Sequence, residues 1–264
     1  MAHIHTLVNQ KGGVGKTTSA INLGAYLGYF GQKVLIVDLD SQANATSSLG
    51  VDKNTVKAGT YEVLIGAVPI SPQILHNPRF KISLLPSSPA LAGAEVELIE
   101  LPQRELCLTR ALEPVLDRYD YILIDCPPSL SLLTVNGLVA AKDGVLIPVQ
   151  CEYLALEGLG QLTHTLNRVR TSLYPGLRVR GVILTMYDGR TRLALDVVSE
   201  VRRYFPDQVF QTVVPRSIRL AEAPSHGQPI TIYAPESTAA KAYTALTREI
   251  LEQDGVHIPV ILAE

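Results

Sequence analysis

The chain has 264 residues, is 47% hydrophobic and 18% charged, and carries a formal net charge of −2. This balance excludes global disorder, and the length predicts one α/β domain spanning residues 1–264. Near-neutral charge excludes an overall basic field, so any nucleic-acid site must be a local patch.

In chain order, short apolar runs alternate with helical patterns. This predicts a mainly parallel twisted sheet with helices on both faces. A strand is expected over 4–8 and a helix over 17–30, closed by Gly31. Strands follow at 34–38, 81–85 and 121–125, with a helical stripe over 104–119 on Leu108, Ala111, Leu112, Val115 and Leu116. The remaining elements are strands at 144–149, 179–185 and 209–214 and helices at 154–173, 193–205 and 237–253. The stretch 44–78 is broken by Gly50, Gly59, Gly66, Pro69, Pro72 and Pro78 and reads only as short pieces. His3 and His5 alternate at strand spacing and read as an incidental polar strand face rather than a metal site. Cys107, Cys126 and Cys151 are odd in number and lack metal-ligand spacing, so they read as reduced thiols. The start shows no signal-peptide pattern and no apolar run reaches the length of a membrane span, so a cytoplasmic protein is expected.

Chemistry concentrates between the first strand and the first helix, in Asn9-Gln-Lys-Gly-Gly-Val-Gly-Lys-Thr-Thr18. Strand, glycine loop, Lys-Thr and helix together make a phosphate-binding loop. Gly12, Gly13 and Gly15 allow backbone N–H groups to turn inward as an anion nest around Val14, and the helix N-terminus at Thr18 adds partial positive charge. Lys16 can reach the β- and γ-phosphates of ATP, and the Thr17 hydroxyl can ligate Mg²⁺. Gln10 stands where the strict pattern has glycine, and Lys11 adds a second lysine. Asp38 and Asp40 close the second strand at the crevice where parallel sheets bind ligands. Tyr121 to Asp125 is an apolar strand ending in an acid that can hold Mg²⁺, and Pro127 and Pro128 stiffen the turn after it.

The loop KGGVGKTT resembles the deviant Walker A of the ParA/MinD family of ATPases, in its short chromosomal ParA (Soj) form, and the resemblance covers nearly the whole chain. It implies a P-loop NTPase fold and slow ATP hydrolysis with Mg²⁺. Asp40 then matches the carboxylate that positions attacking water, and Asp38 the acid supporting the metal region. Lys11 matches the lysine that reaches phosphates bound by a partner subunit, which implies an ATP-dependent sandwich homodimer. Adenine would sit against Met186, Pro215 and Arg216.

Ten arginines and four acids between Arg168 and Arg219 leave that stretch at +6, which favours an anionic partner. The resemblance implies non-specific double-stranded DNA bound through Arg190 and Arg219, and a ParB-like centromere-binding protein that stimulates hydrolysis on the nucleoid. Only nine residues precede Gln10, so no N-terminal operator-binding helix-turn-helix is expected. Two other readings stand beside this one. A MinD-like membrane-associated ATPase would need a basic amphipathic tail, whereas residues 255–264 hold Pro259 and no lysine or arginine, so no membrane partner is expected. A metabolic P-loop enzyme is the other, as a small-substrate synthetase or an iron–sulfur reductase; the reductase would need paired cluster cysteines, which Cys126 and Cys151 do not supply.

Overall fold

The computed structural model describes residues 2–153 and 155–256. Its strands are β1 (His3–Leu7), β2 (Val34–Asp38), β3 (Leu75–Asn77), β4 (Ile82–Leu85), β5 (Tyr121–Asp125), β6 (Val145–Gln150), β7 (Val179–Tyr187) and β8 (Val209–Pro215). They form one eight-stranded sheet in the order β3-β4-β2-β5-β1-β6-β7-β8. Every pairing is parallel except β3 on β4, at the edge.

Parallel strands covered on both faces need apolar residues at every position, and β2 and β5 are buried throughout. Their side chains alternate between two cores. Val34, Ile36, Tyr121 and Leu123 pack against the helices Lys16–Tyr29 and Thr238–Gln253, through Leu23, Tyr26, Leu27, Tyr243 and Leu246. Leu35, Val37, Ile122 and Ile124 face Leu91, Leu108, Leu112 and Leu133 on the opposite side. A third cluster joins Ile147, Val182 and Leu184 to the helices Ala155–Ser172 and Arg192–Tyr204. Each buried leucine, valine or isoleucine contributes about 1.5–3 kcal/mol of transfer free energy. The first helix lies so close to the sheet edge that a Cβ on Gly28 would stand 2.3 Å from the Lys81 carbonyl oxygen.

The doubly covered, mainly parallel sheet expected from the alternation is present, with three differences. The helix expected over 104–119 is three pieces, Arg104–Leu106, Cys107–Leu112 and Glu113–Arg118, and Pro114, which cannot donate to the helical ladder, falls at the break between the last two. Leu108, Leu112 and Val115 are buried all the same. The stretch 44–78 resolves into the helices Asn44–Ser48 and Thr60–Leu64, a 3₁₀ turn and the antiparallel edge strand β3. The helix expected from 154 is described over Ala155–Ser172; Leu154 lies outside the described residues, as do 257–264, which hold most of the expected non-membrane tail. Among the described residues no helix is long and apolar enough to cross a membrane. The three cysteines are buried and free.

Candidate nucleotide site

The loop between β1 and the helix Lys16–Tyr29 is shaped from its own sequence. Asn9 accepts the Lys11 N–H at 3.0 Å and donates its own amide to the Pro148 carbonyl at 2.8 Å, which ties the loop to β6. Gly13 and Gly15 take φ of 74° and 90°, a region that favours glycine. The Val14 carbonyl accepts the Thr185 hydroxyl at 2.8 Å, so the turn is held against the end of β7. Gly15 caps the helix with no side-chain bond, and the first-turn N–H groups are left to an external acceptor.

A cleft of about 420 Å³ opens over this turn. It is lined by Gly12, Gly13, Gly15, Lys16, Thr17, Thr18 and Asp40 from the expected set, together with Met186. Val14 is buried beneath the loop. Lys16 is buried and its Nζ donates to the Lys11 carbonyl at 3.2 Å. Burial lowers the Lys16 pKa; Asp125, Cys126 and Asp40 pull it back up. Lys11 does not line this cleft. It lines a neighbouring recess with Gln10, Pro128, Leu130, Glu157, Gly158 and Gln161.

The acids sit at the ends of adjacent strands, since Asp38 pairs in register with Asp125. Both carboxylates are buried. Neither Asp125 oxygen has a hydrogen-bond partner among the described residues. Burial raises the Asp125 pKa to about 8, with the nearby Asp38 adding to the shift, while Thr17 and Lys16 act in the opposite direction. A buried, unpartnered carboxylate beside Thr17 fits a hard divalent cation with oxygen ligands, so the residues present suit Mg²⁺. Asp38 is occupied differently. Its Oδ2 accepts the Thr46 N–H at 2.8 Å and the Thr46 hydroxyl at 2.7 Å, and its Oδ1 accepts the Asp40 N–H at 3.3 Å. Its pKa is raised to about 6, mainly by burial. Asp38 stands next to Asp125 on the adjacent strand, and its oxygens hold the turn that presents Asp40. Asp40 Oδ1 accepts the Gln42 N–H at 2.9 Å and its carbonyl accepts the Ser87 hydroxyl at 2.8 Å, so this carboxylate is fixed at the cleft wall.

Of the three residues expected at the base, one lines the cleft. Met186 lines the cleft with φ of 52°, an uncommon backbone for methionine. Pro215 and Arg216 are not among the lining residues, and Pro224 is. Arg216 instead pairs with Glu152 at 2.8 Å. Gln42, Asn44, Ser48 and Pro128 complete the wall, and all but Pro128 lie in or beside the stretch 44–78.

The arginines do not form one patch. Helices that connect parallel strands run back along the sheet, so Arg202 and Arg203 lie at the end far from the nucleotide cleft, with Arg178 and Arg180; Arg168 stands one turn past Thr165, whose hydroxyl accepts from the Gln10 side chain at 3.1 Å. β7 has nine residues, roughly 25 Å or more, between that end and the cleft end. Arg190, Arg192, Arg216 and Arg219 remain at the cleft end. Arg190 forks onto Asp188 at 2.9 and 2.7 Å, and Arg219 bonds Glu222 at 3.0 Å. Both guanidinium groups are exposed.

A family model described as an AAA domain (AAA_31) matches residues 2–179. The chain is 50% identical over 250 residues to the sporulation initiation inhibitor protein Soj of Bacillus subtilis (strain 168), covering 95% of this chain and 98% of that protein. It is also 50% identical over 248 residues to the chromosome-partitioning ATPase Soj of Treponema pallidum (strain Nichols), covering 94% and 96% of the two chains. Among solved structures, cobyrinic acid a,c-diamide synthase from Mycobacterium smegmatis with bound ADP and magnesium superposes with a TM-score of 0.85 at 35% identity, over 100% of both chains.

Proposed function

The chain belongs to the ParA/MinD family of ATPases in its Soj form, and we propose that ATP joins two copies of it face to face, each Lys11 reaching the phosphates held by the other. It is a partitioning ATPase that uses ATP and Mg²⁺. The observation that carries the sandwich is the separation of the two loop lysines. Lys16 turns into its own cleft and Lys11 lines the recess beside it.

In this reading residues 1–264 act as one unit. Backbone N–H groups from Gly12 to Thr18 hold the phosphates, and Lys16 offsets charge on the β- and γ-oxygens. Thr17 and Asp125 would hold Mg²⁺, which when bound neutralises phosphate charge. Asp38 acts by positioning, through Thr46 and Asp40. Asp40 orients the water that attacks the γ-phosphate, and Met186 takes the base with help from Pro215 and Arg216 once the dimer forms. Two facing lysine-bearing surfaces repel; the triphosphates between them reverse the sign. Hydrolysis removes that compensation and separates the copies.

Arg190 and Arg219 at the cleft end of each copy bind phosphates of double-stranded DNA without reading bases. Dimerisation doubles this surface and so links DNA affinity to nucleotide state. A ParB-like partner stimulates turnover, and the protein resides in the cytoplasm on the nucleoid.

The test is size-exclusion chromatography of Asp40→Ala with ATP and Mg²⁺ at micromolar concentration. A dimer with ATP and a monomer with ADP support the reading; an ATP-bound monomer overturns it. The likeness to a synthase raises one competing reading. ATP turnover stimulated by a small acid, and not by DNA with a ParB-type peptide, would favour it.

A further inference from the structure

The end of the sheet opposite the nucleotide carries a second cluster of ligand-type side chains. His3 and His5 sit two apart on β1, and Asp254 follows the last helix, Thr238–Gln253. One ligand atom from each of the three lies within 4.8 Å of the other two. We propose that His3, His5 and Asp254 form a zinc-class divalent metal site that ties the first strand to the end of the last described helix.

The strongest sign is on His5. Its ring is 1% exposed, and its Nε2 has no hydrogen-bond partner among the described residues. Its Nδ1 stands 3.4 Å from the Gly144 carbonyl, a contact that favours the proton on Nδ1. The bare Nε2 is then a buried lone pair, and such a group needs a donor or a cation. His3 stands beside an acid, its Nδ1 3.6 Å from Asp143 Oδ1. An imidazole held by an oxygen acceptor on one nitrogen and open on the other is how histidine is presented to a metal.

Asp254 is fixed from outside. Tyr121 donates to its Oδ2 at 2.9 Å and Arg180 to its Oδ1 at 2.8 Å. Each oxygen keeps a further lone pair. The Tyr121 ring stacks on His3 with centroids 5.1 Å apart, so the same residue orients two members of the cluster. Two imidazoles and one carboxylate favour zinc over magnesium, which takes oxygen donors. Tetrahedral zinc places ligand atoms about 3.3 Å apart, so ligand atoms lying within 4.8 Å of one another close by at most about 1.5 Å. His3, the half-exposed member, has the room to move. Arg178 and Arg180 already balance Asp143 and Asp254, so the affinity expected is moderate.

The experiment is calorimetric titration of zinc into the full chain saturated with Mg²⁺–ADP, which keeps the nucleotide site filled. Thermal melting is read in parallel. One zinc should bind per chain and raise the melting temperature by several degrees, and added magnesium should not compete. His3→Gln, at a half-exposed position, should bind Mg²⁺–ADP normally and lose zinc affinity ~10-fold or more. Cobalt(II) in the wild type should give visible bands that this variant lacks. Absence of saturable one-to-one binding, or equal zinc affinity in His3→Gln, overturns the site.

Discussion

The Lys16 ammonium donates a hydrogen bond to the Lys11 backbone carbonyl at 3.2 Å, while the two side chains line different hollows. One short loop thus turns one lysine into the cleft above it and sets the other beside a neighbouring recess. Substitutions should separate these roles. Lys16→Ala should abolish nucleotide binding. Lys11→Ala should keep ADP binding within a few-fold and lose ATP-dependent dimerisation and turnover. Fluorescent-nucleotide titration with light scattering reads both.

Asp125 is a buried carboxylate without a hydrogen-bond partner among the described residues. Asparagine removes the ionisable group and keeps the shape. Without ligands, Asp125→Asn should be more stable by about 1 kcal/mol or more, roughly 2–4 °C in melting temperature. The gain in stability that Mg²⁺ gives the ATP-bound wild type should vanish. Calorimetry with and without Mg²⁺ checks both halves.

Thr46 serves two groups at once: its hydroxyl donates to Asp38 and accepts the Ser87 N–H at 2.8 Å. Thr46→Val should cost about 2–3 kcal/mol, because a buried carboxylate and a buried amide lose partners together. ATP turnover should fall more than ADP binding, since the turn carrying Asp40 loosens. Denaturant unfolding and steady-state kinetics measure the two effects.

Tyr243 is buried against Ser19 with its hydroxyl 3.1 Å from the serine's, and burial raises its pKa to about 12. The unfolded phenol ionises near 10. Between these values the unfolded chain releases a proton that the fold retains, so stability falls as pH rises through that window. Tyr243→Phe should be less stable by about 1 kcal/mol at neutral pH and should lose less between pH 10 and 12. Urea unfolding at both pH values tests the narrowing.

Arg219→Glu should weaken ATP-dependent duplex binding and lower the salt slope by about one unit per lost phosphate contact. Arg202→Glu, at the far end of the sheet, should leave it unchanged. Equal losses in both variants would restore the single broad patch. Filter binding across a salt series decides.

What the chain order made readable depended on locality. The phosphate loop lies within ten residues, and β2 and β5 fall at the expected bounds because each is a continuous apolar run bounded by polar residues. The role of Asp38 was not readable, since its partner Thr46 is eight residues on, inside a stretch punctuated by glycine and proline. Gln42, Asn44 and Ser48 were missed for the same reason; the polar run that follows Asp40 was the available signal. The arginine count did not give their placement, because nearness along the chain is not nearness in a doubly wound fold: the crossover helix Arg192–Tyr204 carries Arg202 and Arg203 to the far end. His3 and His5 gained meaning only when the last helix brought in Asp254.

The most direct measurement is a crystal structure of Asp40→Ala with ATP and Mg²⁺. Two copies related by a twofold axis are expected, with Lys11 Nζ of each within hydrogen-bond distance of a phosphate oxygen on the nucleotide of the other. Lys11 directed into solvent, or onto the nucleotide of its own chain, would contradict the sandwich.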